Sequence, residues 1–178
     1  MRYVPLTVLT ACAVTAPAFA TQYLSPEQAE KLMFPEADAF RPHPLALDTA
    51  QMRQVEQASG LPTRSAQWRV VGAYKGDTLL GYMVLDDVIG KFELISYAVG
   101  LNPDATVRQV EILAYRESHG SEIRLPAWRR QFVGKSARSG DLRIGGGINN
   151  ISGATLSCTH VTDGVRRIAA VAQVALAR

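Results

Sequence analysis

Apolar and polar residues alternate along the middle of the chain, from residue 65 to residue 116. Alternation with a period of two residues is typical of strands that bury one face. Turn signals such as "KGD" and "LNPDAT" divide this region into short segments. We predict strands over residues 67–74, 79–86, 92–101 and 106–116. Because short turns connect successive strands, the sheet is expected to be mostly antiparallel.

The segment before the strands has a helical pattern instead. "LSPEQAEKLMF", at residues 24–34, begins with Ser25 as a helix N-cap and has Gln28 three residues later, which is the spacing of a capping box. "DTAQMRQVEQASG" predicts a second helix, capped by either Asp48 or Thr49 and ended by a glycine. The proline-rich stretch between these two helices is expected to be extended or looping.

The segment after the strands also predicts helices. "SEIRLPAWRRQFVGK" is helical around residues 126–132, and "SGDLRIGGG" predicts a short strand followed by a glycine-rich bend. A final helix over about residues 157–176 carries an apolar face. Strands in the middle and helices at both ends predict an α+β fold, with a central mostly antiparallel sheet flanked by helices.

The first twenty residues have the features of a secretory signal peptide. An early arginine precedes a short apolar stretch, which ends in the small-residue cleavage site "AFA". We therefore predict a signal peptide at 1–20, an N-terminal helical segment at 21–65 and the main domain at 66–178. An alternative lipidation motif, "LTAC", would place a lipid on Cys12. The mature chain is expected to be periplasmic or otherwise extracytoplasmic, soluble or peripheral to the membrane.

Composition excludes several classes of function. Removal of the signal takes one of the 19 Lys and Arg residues, which leaves 18 against 16 Asp and Glu. This near balance and the absence of a basic cluster argue against nucleic acid as a partner. No segment of the mature chain is long and apolar enough to predict a transmembrane span. His43 and His160 lack ligand spacing with Cys158, so no metal site is predicted. Cys158 lies near a helix start, which can lower a thiol pKa, although packing is its default role.

A run of small polar residues precedes the final helix. Ser152, Gly153, Ala154 and Thr155 lie where free backbone N–H groups and the positive end of the helix dipole attract phosphate. Gly153 allows the backbone to approach a bulky anion. The simpler alternative is that Ser152, Thr155 or Ser157 merely caps the helix.

Three motifs together resemble the FMN-binding domain family, whose members occur in the sodium-translocating NADH:quinone reductase and in the Rnf electron-transport complex. "NNISGAT" is similar to the family's Asp-x-x-Ser-Gly-Ala-Thr signature. "ESHG" occupies the position of its Glu-Thr-Pro-Gly segment, and "WRRQFVGK" resembles its aromatic-Gln-Phe-x-Gly ending. The order and context of the motifs agree over about residues 70–175.

The resemblance implies FMN as the cofactor, joined by a phosphoester to Thr155. It also implies cofactor-binding residues in two segments, namely Asn149, Ser152, Gly153, Ala154 and Thr155 in the first and Glu117, Ser118, His119 and Gly120 in the second. Asn149 replaces the family's Asp, and His119 replaces its Pro. A histidine near the flavin ring can tune its potential, whereas a solvated loop histidine is the simpler alternative. Glu117 is interpreted in two ways: it either binds the flavin or only holds the loop in place.

The resulting functional prediction is an exported flavoprotein that acts in extracytoplasmic electron transfer. No catalytic acid, base or nucleophile is evident, which favours a carrier or a component of a membrane oxidoreductase over a stand-alone enzyme. The resemblance implies a flavin transferase for maturation and membrane electron-transfer proteins as partners. Two alternatives remain: a reversible FMN binder acting as a sensor or reductase component, and a cofactor-free secreted interaction module.

Overall fold

The predicted α+β class is confirmed in a computed structural model, which describes residues 21–177. The predicted signal peptide and Cys12 lie outside the described residues. The strands are β1 Thr21–Gln22, β2 Ala39–Pro42, β3 Leu45–Ala46, β4 Gln67–Lys75, β5 Thr78–Ile89, β6 Leu94–Leu101 and β7 Val107–Tyr115. The helices are α1 Pro26–Met33, α2 Thr49–Ser59, α3 Pro126–Arg129 and α4 Thr155–Ala175, with 3-10 turns at Ser121–Arg124 and Arg130–Phe132.

The strands form one curled antiparallel sheet. The order is β1-β7-β6-β5-β4-β2, and β3 also pairs with β4. The four long strands β4 to β7 are neighbours in chain order, as short turns between them require. The short strands β1, β2 and β3 pair with the outer strands β7 and β4, so the segment 21–65 is part of the sheet architecture. The predicted boundary between an N-terminal segment at 21–65 and a main domain at 66–178 stays a prediction.

The predicted strands agree with the observed ones to within three residues at each end. The largest difference at a strand start is in β6, which begins at Leu94 rather than at Phe92. The Glu117 carboxylate accepts the N–H groups of Phe92 at 2.6 Å and Glu93 at 2.9 Å. These two residues therefore bond to a side chain instead of joining the sheet ladder.

The first two helices have the caps that their sequences predict. Ser25 and Gln28 form a reciprocal capping box on α1, and Asp48 forms one with Gln51 on α2. Asp48, and not Thr49, is therefore the N-cap of α2. Each box satisfies two helix-end donors, which stabilises the start of a short helix.

Helix α4 covers one face of the sheet and α1 covers part of the other. At the α4 contact, Gly164 lets the helix lie against the Tyr97 hydroxyl, since a Cβ at this position would be 1.9 Å from that oxygen. The Tyr97 hydroxyl donates to Asp86 Oδ2 at 2.6 Å. Among residues 21–177, no helix combines the length and hydropathy that crossing a bilayer requires.

The prediction of a short strand in "SGDLRIGGG" is wrong. The chain folds back on itself, with the Gly147 N–H donating to Asp141 C=O at 2.9 Å and the Ile148 N–H to Arg143 C=O at 3.1 Å. These local bonds satisfy the backbone without a partner strand, and only an isolated bridge joins Ile144 to Ile148. Trp128 and Phe132, four residues apart in the chain, pack edge to face in the core.

Candidate functional site

The start of α4 carries no side-chain cap, although it is the longest helix of the described residues. Thr155 is the first helical residue, and the N-cap position belongs to Ala154. The first backbone bond into the helix runs from the Cys158 N–H to the Ala154 C=O at 2.9 Å. The expectation that Ser152, Thr155 or Ser157 caps this helix is therefore wrong. Without a cap, the first-turn N–H groups remain available to an anion, and the first turn contains no acidic residue.

Two glycines bring the α4 start close to the end of β7. Gly153 has φ 84°, which a residue with a side chain adopts only under strain, and its missing side chain would face open space. Gly120 has φ 90° and is buried beneath Ala154, because a Cβ there would lie 2.7 Å from the Tyr115 hydroxyl oxygen and 3.0 Å from the Ala154 Cβ. The 117–120 segment and the 152–155 segment, predicted separately, are therefore neighbours.

These segments enclose an open cavity of about 420 Å³. This volume lies in the range of about 300–1,000 Å³ that small-molecule sites occupy. Six of the predicted residues line it, namely Glu117, Ser118, His119, Gly153, Ala154 and Thr155. Gly120 lies under its floor at Ala154. Ser152 and Asn149 are exposed and do not line it.

Glu117 fixes residues 91–93, which form one wall of the cavity. Its Oε1 accepts the N–H groups of Phe92 and Glu93. Desolvation raises the pKa of this carboxyl, but the backbone N–H groups of Glu93, Phe92 and Lys91, together with the Lys91 charge, outweigh it and leave the pKa lowered. Glu117 therefore keeps its charge and holds Lys91 and Phe92 at the cavity.

The buried Tyr115 hydroxyl connects the 117–120 segment to the first turn of α4. It donates to the His119 C=O and lies 3.0 Å from the Ser157 Oγ in the first turn of α4. Burial raises the pKa of this tyrosine, while the bond with Ser157 opposes the shift. The His119 Nδ1 is 2.9 Å from the Ser118 Oγ, and both side chains are exposed at the cavity. The loop backbone is thus fixed while the imidazole remains accessible.

Asn150, which sequence reasoning did not select, contacts the Thr155 hydroxyl. Its amide nitrogen Nδ2 donates to Thr155 Oγ1 at 3.0 Å. The neighbouring Asn149 is held by its backbone instead, with its N–H donating to Gln131 Oε1 and its C=O accepting from Trp128 Nε1, both at 2.8 Å. The side chain that orients the threonine is therefore the second asparagine of the motif.

Four further residues complete the lining, namely Lys91, Phe92, Leu156 and Ser157. Phe92 and Leu156 are 76% and 44% exposed, so both apolar side chains are open to a ligand in the cavity. The Lys91 ammonium lies 4.8 Å from the centre of the Phe92 ring. No sequence pattern assigned these residues, because only the fold brings residues 91–92 next to Thr155.

Cys158 and the tyrosines lie in the core. Cys158 is fully buried, and burial raises the pKa of its thiol, so the lowered pKa considered for it is wrong. Tyr82, Tyr97 and Tyr115 are each at most 3% exposed. Their rings pack in the core, and none of these three tyrosines lines the cavity.

Residues 90–170 match the family model described as an FMN-binding domain. The predicted resemblance to the FMN-binding domain family is confirmed. The matched segment includes every residue that lines the cavity. The match supports FMN as the cofactor of this domain.

A comparison with solved structures finds the crystal structure of Shewanella oneidensis NqrC. The TM-score is 0.50 and the sequence identity 17%, with 82% of each chain covered. At this identity the likeness concerns the fold, and it agrees with the α+β architecture described above. No curated protein sequence matches the chain.

The residues of the cavity fit an FMN molecule. The open helix start and Lys91 suit a phosphate, while Phe92 and Leu156 suit the apolar faces of a ring system. The fit rests on charged, polar and apolar groups that line one cavity.

Proposed function

We propose that this chain is an exported flavoprotein that carries FMN, joined through a phosphoester to Thr155, and that it acts in extracytoplasmic electron transfer. One observation carries the proposal: an exposed Thr155 hydroxyl, at an uncapped helix start, opens into a cavity of about 420 Å³ within the FMN-binding domain. A simple capping threonine would have its oxygen engaged by backbone N–H groups. Here that oxygen contacts Asn150.

Two kinds of groups in the chain would hold the cofactor. The first-turn N–H groups of α4 and the Lys91 ammonium would bind the phosphate. Phe92 and Leu156 would cover the ring, and the Glu117 bonds keep Phe92 in place. FMN, when bound, supplies reversible uptake and release of electrons. A tether on the phosphate leaves the ring unmodified, so covalent attachment does not interfere with that chemistry.

Attachment would require a partner enzyme. Among the described residues, the only recorded side-chain contact of Thr155 Oγ1 is Asn150 Nδ2, which is a donor and cannot accept the hydroxyl proton. The base must then come from elsewhere, which supports a flavin transferase as the maturation partner. The hydroxyl proton of Thr155 would be replaced by an FMN phosphoryl group taken from FAD, with AMP as the leaving group.

Intact mass after denaturation tests the proposal. Protein expressed with a flavin transferase should retain flavin when unfolded, and peptide mapping should place it on Thr155. We expect Thr155→Ala to abolish the added mass. The variant should unfold within about 1 kcal/mol of the wild type, because Thr155 makes no cap. Thr78→Ala, at an exposed threonine of β5 that does not line the cavity, is the matched control and should be fully modified.

Two other functions give different results in the same assay. Flavin that is released on unfolding would identify a reversible binder, such as a sensor or a reductase component. A protein that contains no flavin after expression with the transferase would identify a cofactor-free module. A Thr155→Ala protein that still gains the FMN mass would refute the assignment of the residue.

Export and the membrane partners form the second part of the proposal. They rest on the signal-like segment 1–20 and on the exposed apolar side chains of Phe92 and Leu156 at the mouth of the cavity. Electron transfer needs a donor and an acceptor that approach the flavin edge. The N-terminal residue of protein recovered from cells distinguishes cleavage after Ala20 from lipidation at Cys12.

A further inference from the structure

A second, smaller cavity lies between the α2–β4 connection and helix α4. Its volume is about 90 Å³, and none of its lining residues lines the FMN cavity. One water needs only about 10–15 Å³ of such space. The cavity can therefore hold a group of several atoms.

The side chain of Arg167, on α4, lines this cavity and is 4% exposed. Its Nε donates to the Pro62 C=O at 3.0 Å, but its buried Nη1 has no partner among residues 21–177. Buried arginine donors without an acceptor are rare in folded proteins, because the guanidinium is always charged. An acceptor from outside the described chain would satisfy this group.

A second unsatisfied donor belongs to another residue that lines this cavity. Trp68, on β4, also lines it, and the buried Trp68 Nε1 has no partner within residues 21–177. An indole N–H can only donate. Two lining residues from different elements therefore each carry a buried donor that lacks an acceptor among residues 21–177.

The charges around the cavity favour an anion. Arg64 and Arg167 line it against one carboxylate, Asp86. Arg69 also lines it, but its guanidinium is paired with Asp87 at 2.8 Å. The remaining balance is one positive charge. Burial lowers the pKa of Arg167, and the nearby Arg64 charge lowers it further; a bound negative charge would oppose both effects.

We propose that this cavity is a binding site for a small oxyanion, either phosphate or a carboxylate group, which accepts hydrogen bonds from Arg167 Nη1 and Trp68 Nε1 and neutralises Arg64. The site would join the N-terminal segment to α4. It is separate from the proposed FMN site, and its existence does not depend on the flavin.

The chain's two tryptophans allow a direct test by NMR. Titration of the full chain with inorganic phosphate, at constant ionic strength held with sodium chloride, should shift the Trp68 indole N–H signal in a saturable way. Trp128 donates its indole N–H to Asn149 next to the FMN cavity, so its signal reports on binding there. Acetate in a parallel titration distinguishes a carboxylate from a phosphate as the preferred occupant.

Two variants make the result specific. Arg64→Gln, at an exposed side chain without an ion pair among residues 21–177, should weaken the affinity by at least about tenfold. Lys91→Gln, in the FMN cavity, should leave the Trp68 titration unchanged. A Trp68 signal that does not move with either anion, or that moves equally with chloride alone, would show that the cavity holds only water and would overturn the proposal. Equal affinity in wild type and Arg64→Gln would overturn it as well.

Discussion

Replacement of Asn150 by alanine tests whether Asn150 positions the Thr155 hydroxyl for the proposed attachment of FMN. The wild-type amide nitrogen lies 3.0 Å from Thr155 Oγ1 and is a donor, so it fixes the side-chain rotamer of the threonine through its oxygen. Asn150 is exposed, and its alanine variant removes this bond without opening a core cavity. The expected consequence is slower attachment of FMN to a normally folded protein.

The size of the effect follows from one neutral hydrogen bond. A bond of this kind contributes about 0.5–1.5 kcal/mol. If it is present in the attachment transition state and absent in the variant, the rate falls by about two- to twelve-fold. A larger loss is not expected, because Asn150 neither accepts the proton nor contacts the core. Its contribution is positional, so the final extent of modification should reach the wild-type level at long times.

The assay is the initial rate of flavin attachment with purified transferase and FAD, followed by flavin fluorescence on denaturing gels and by intact mass. Asn149→Ala is the matched control, since its two recorded bonds use backbone atoms that alanine retains. We expect this control to differ from the wild type by less than about twofold, a change of about 0.4 kcal/mol or less. If Asn149→Ala slows attachment more than Asn150→Ala does, the reasoning is refuted.

Three further predictions concern the walls and the support of the site. Glu117→Gln should destabilise the protein by about 1 kcal/mol near neutral pH, since charged acceptors bind N–H groups more strongly. Because the folded-state pKa of Glu117 is lowered from 4.5, the difference from the wild type should be complete above about pH 4.5 and vanish as the pH falls through the folded-state value, in urea titrations at several pH values. Gly164→Ala should destabilise by about 1–3 kcal/mol, because its Cβ would meet the Tyr97 oxygen at 1.9 Å. Combining it with Tyr97→Phe should cost less than the sum of the single variants, and additive costs would contradict the contact. His119→Ala should lower the flavin midpoint potential by roughly 10–30 mV, if the imidazole donates one hydrogen bond to the reduced ring; an unchanged potential across pH would exclude a tuning role.

Local signals in the sequence predicted most of the fold. The Ser25–Gln28 spacing predicted a capping box that the structure contains, since both bonds form within four residues. The alternation of apolar and polar residues predicted β4 to β7, because successive side chains of each strand point toward α4 and then toward α1 or solvent. The strand predicted in "SGDLRIGGG" is wrong because hydrogen bonds within this loop satisfy its backbone groups. The residue pattern alone does not distinguish such a loop from a short strand.

The site was only partly predictable, because it depends on contacts between distant segments. Thr155 and His119 were selected through motifs, whereas no motif includes Lys91 and Phe92, which the fold brings to the cavity. The Glu117 carboxylate accepts the Phe92 N–H there. The sequence also could not show whether Asn149 or Asn150 contacts the Thr155 hydroxyl. Adjacent residues in a loop point in different directions, and no linear motif states which one faces the threonine.

Among residues 21–177, α4 is the only α-helix of eight or more residues that starts without a side-chain cap, and this contrast supports the proposed attachment at Thr155. The short helices α1 and α2 have complete capping boxes, and each needs one because few core contacts hold a helix of 8 or 11 residues. Helix α4 has 21 residues and a buried face of many core side chains, so it tolerates an open start that costs about 1 kcal/mol. Serine and threonine are both present at that start, yet neither closes it. Open donors beside the exposed Thr155 hydroxyl would suit the phosphate of the proposed phosphoester, since backbone N–H groups at a helix start bind anions.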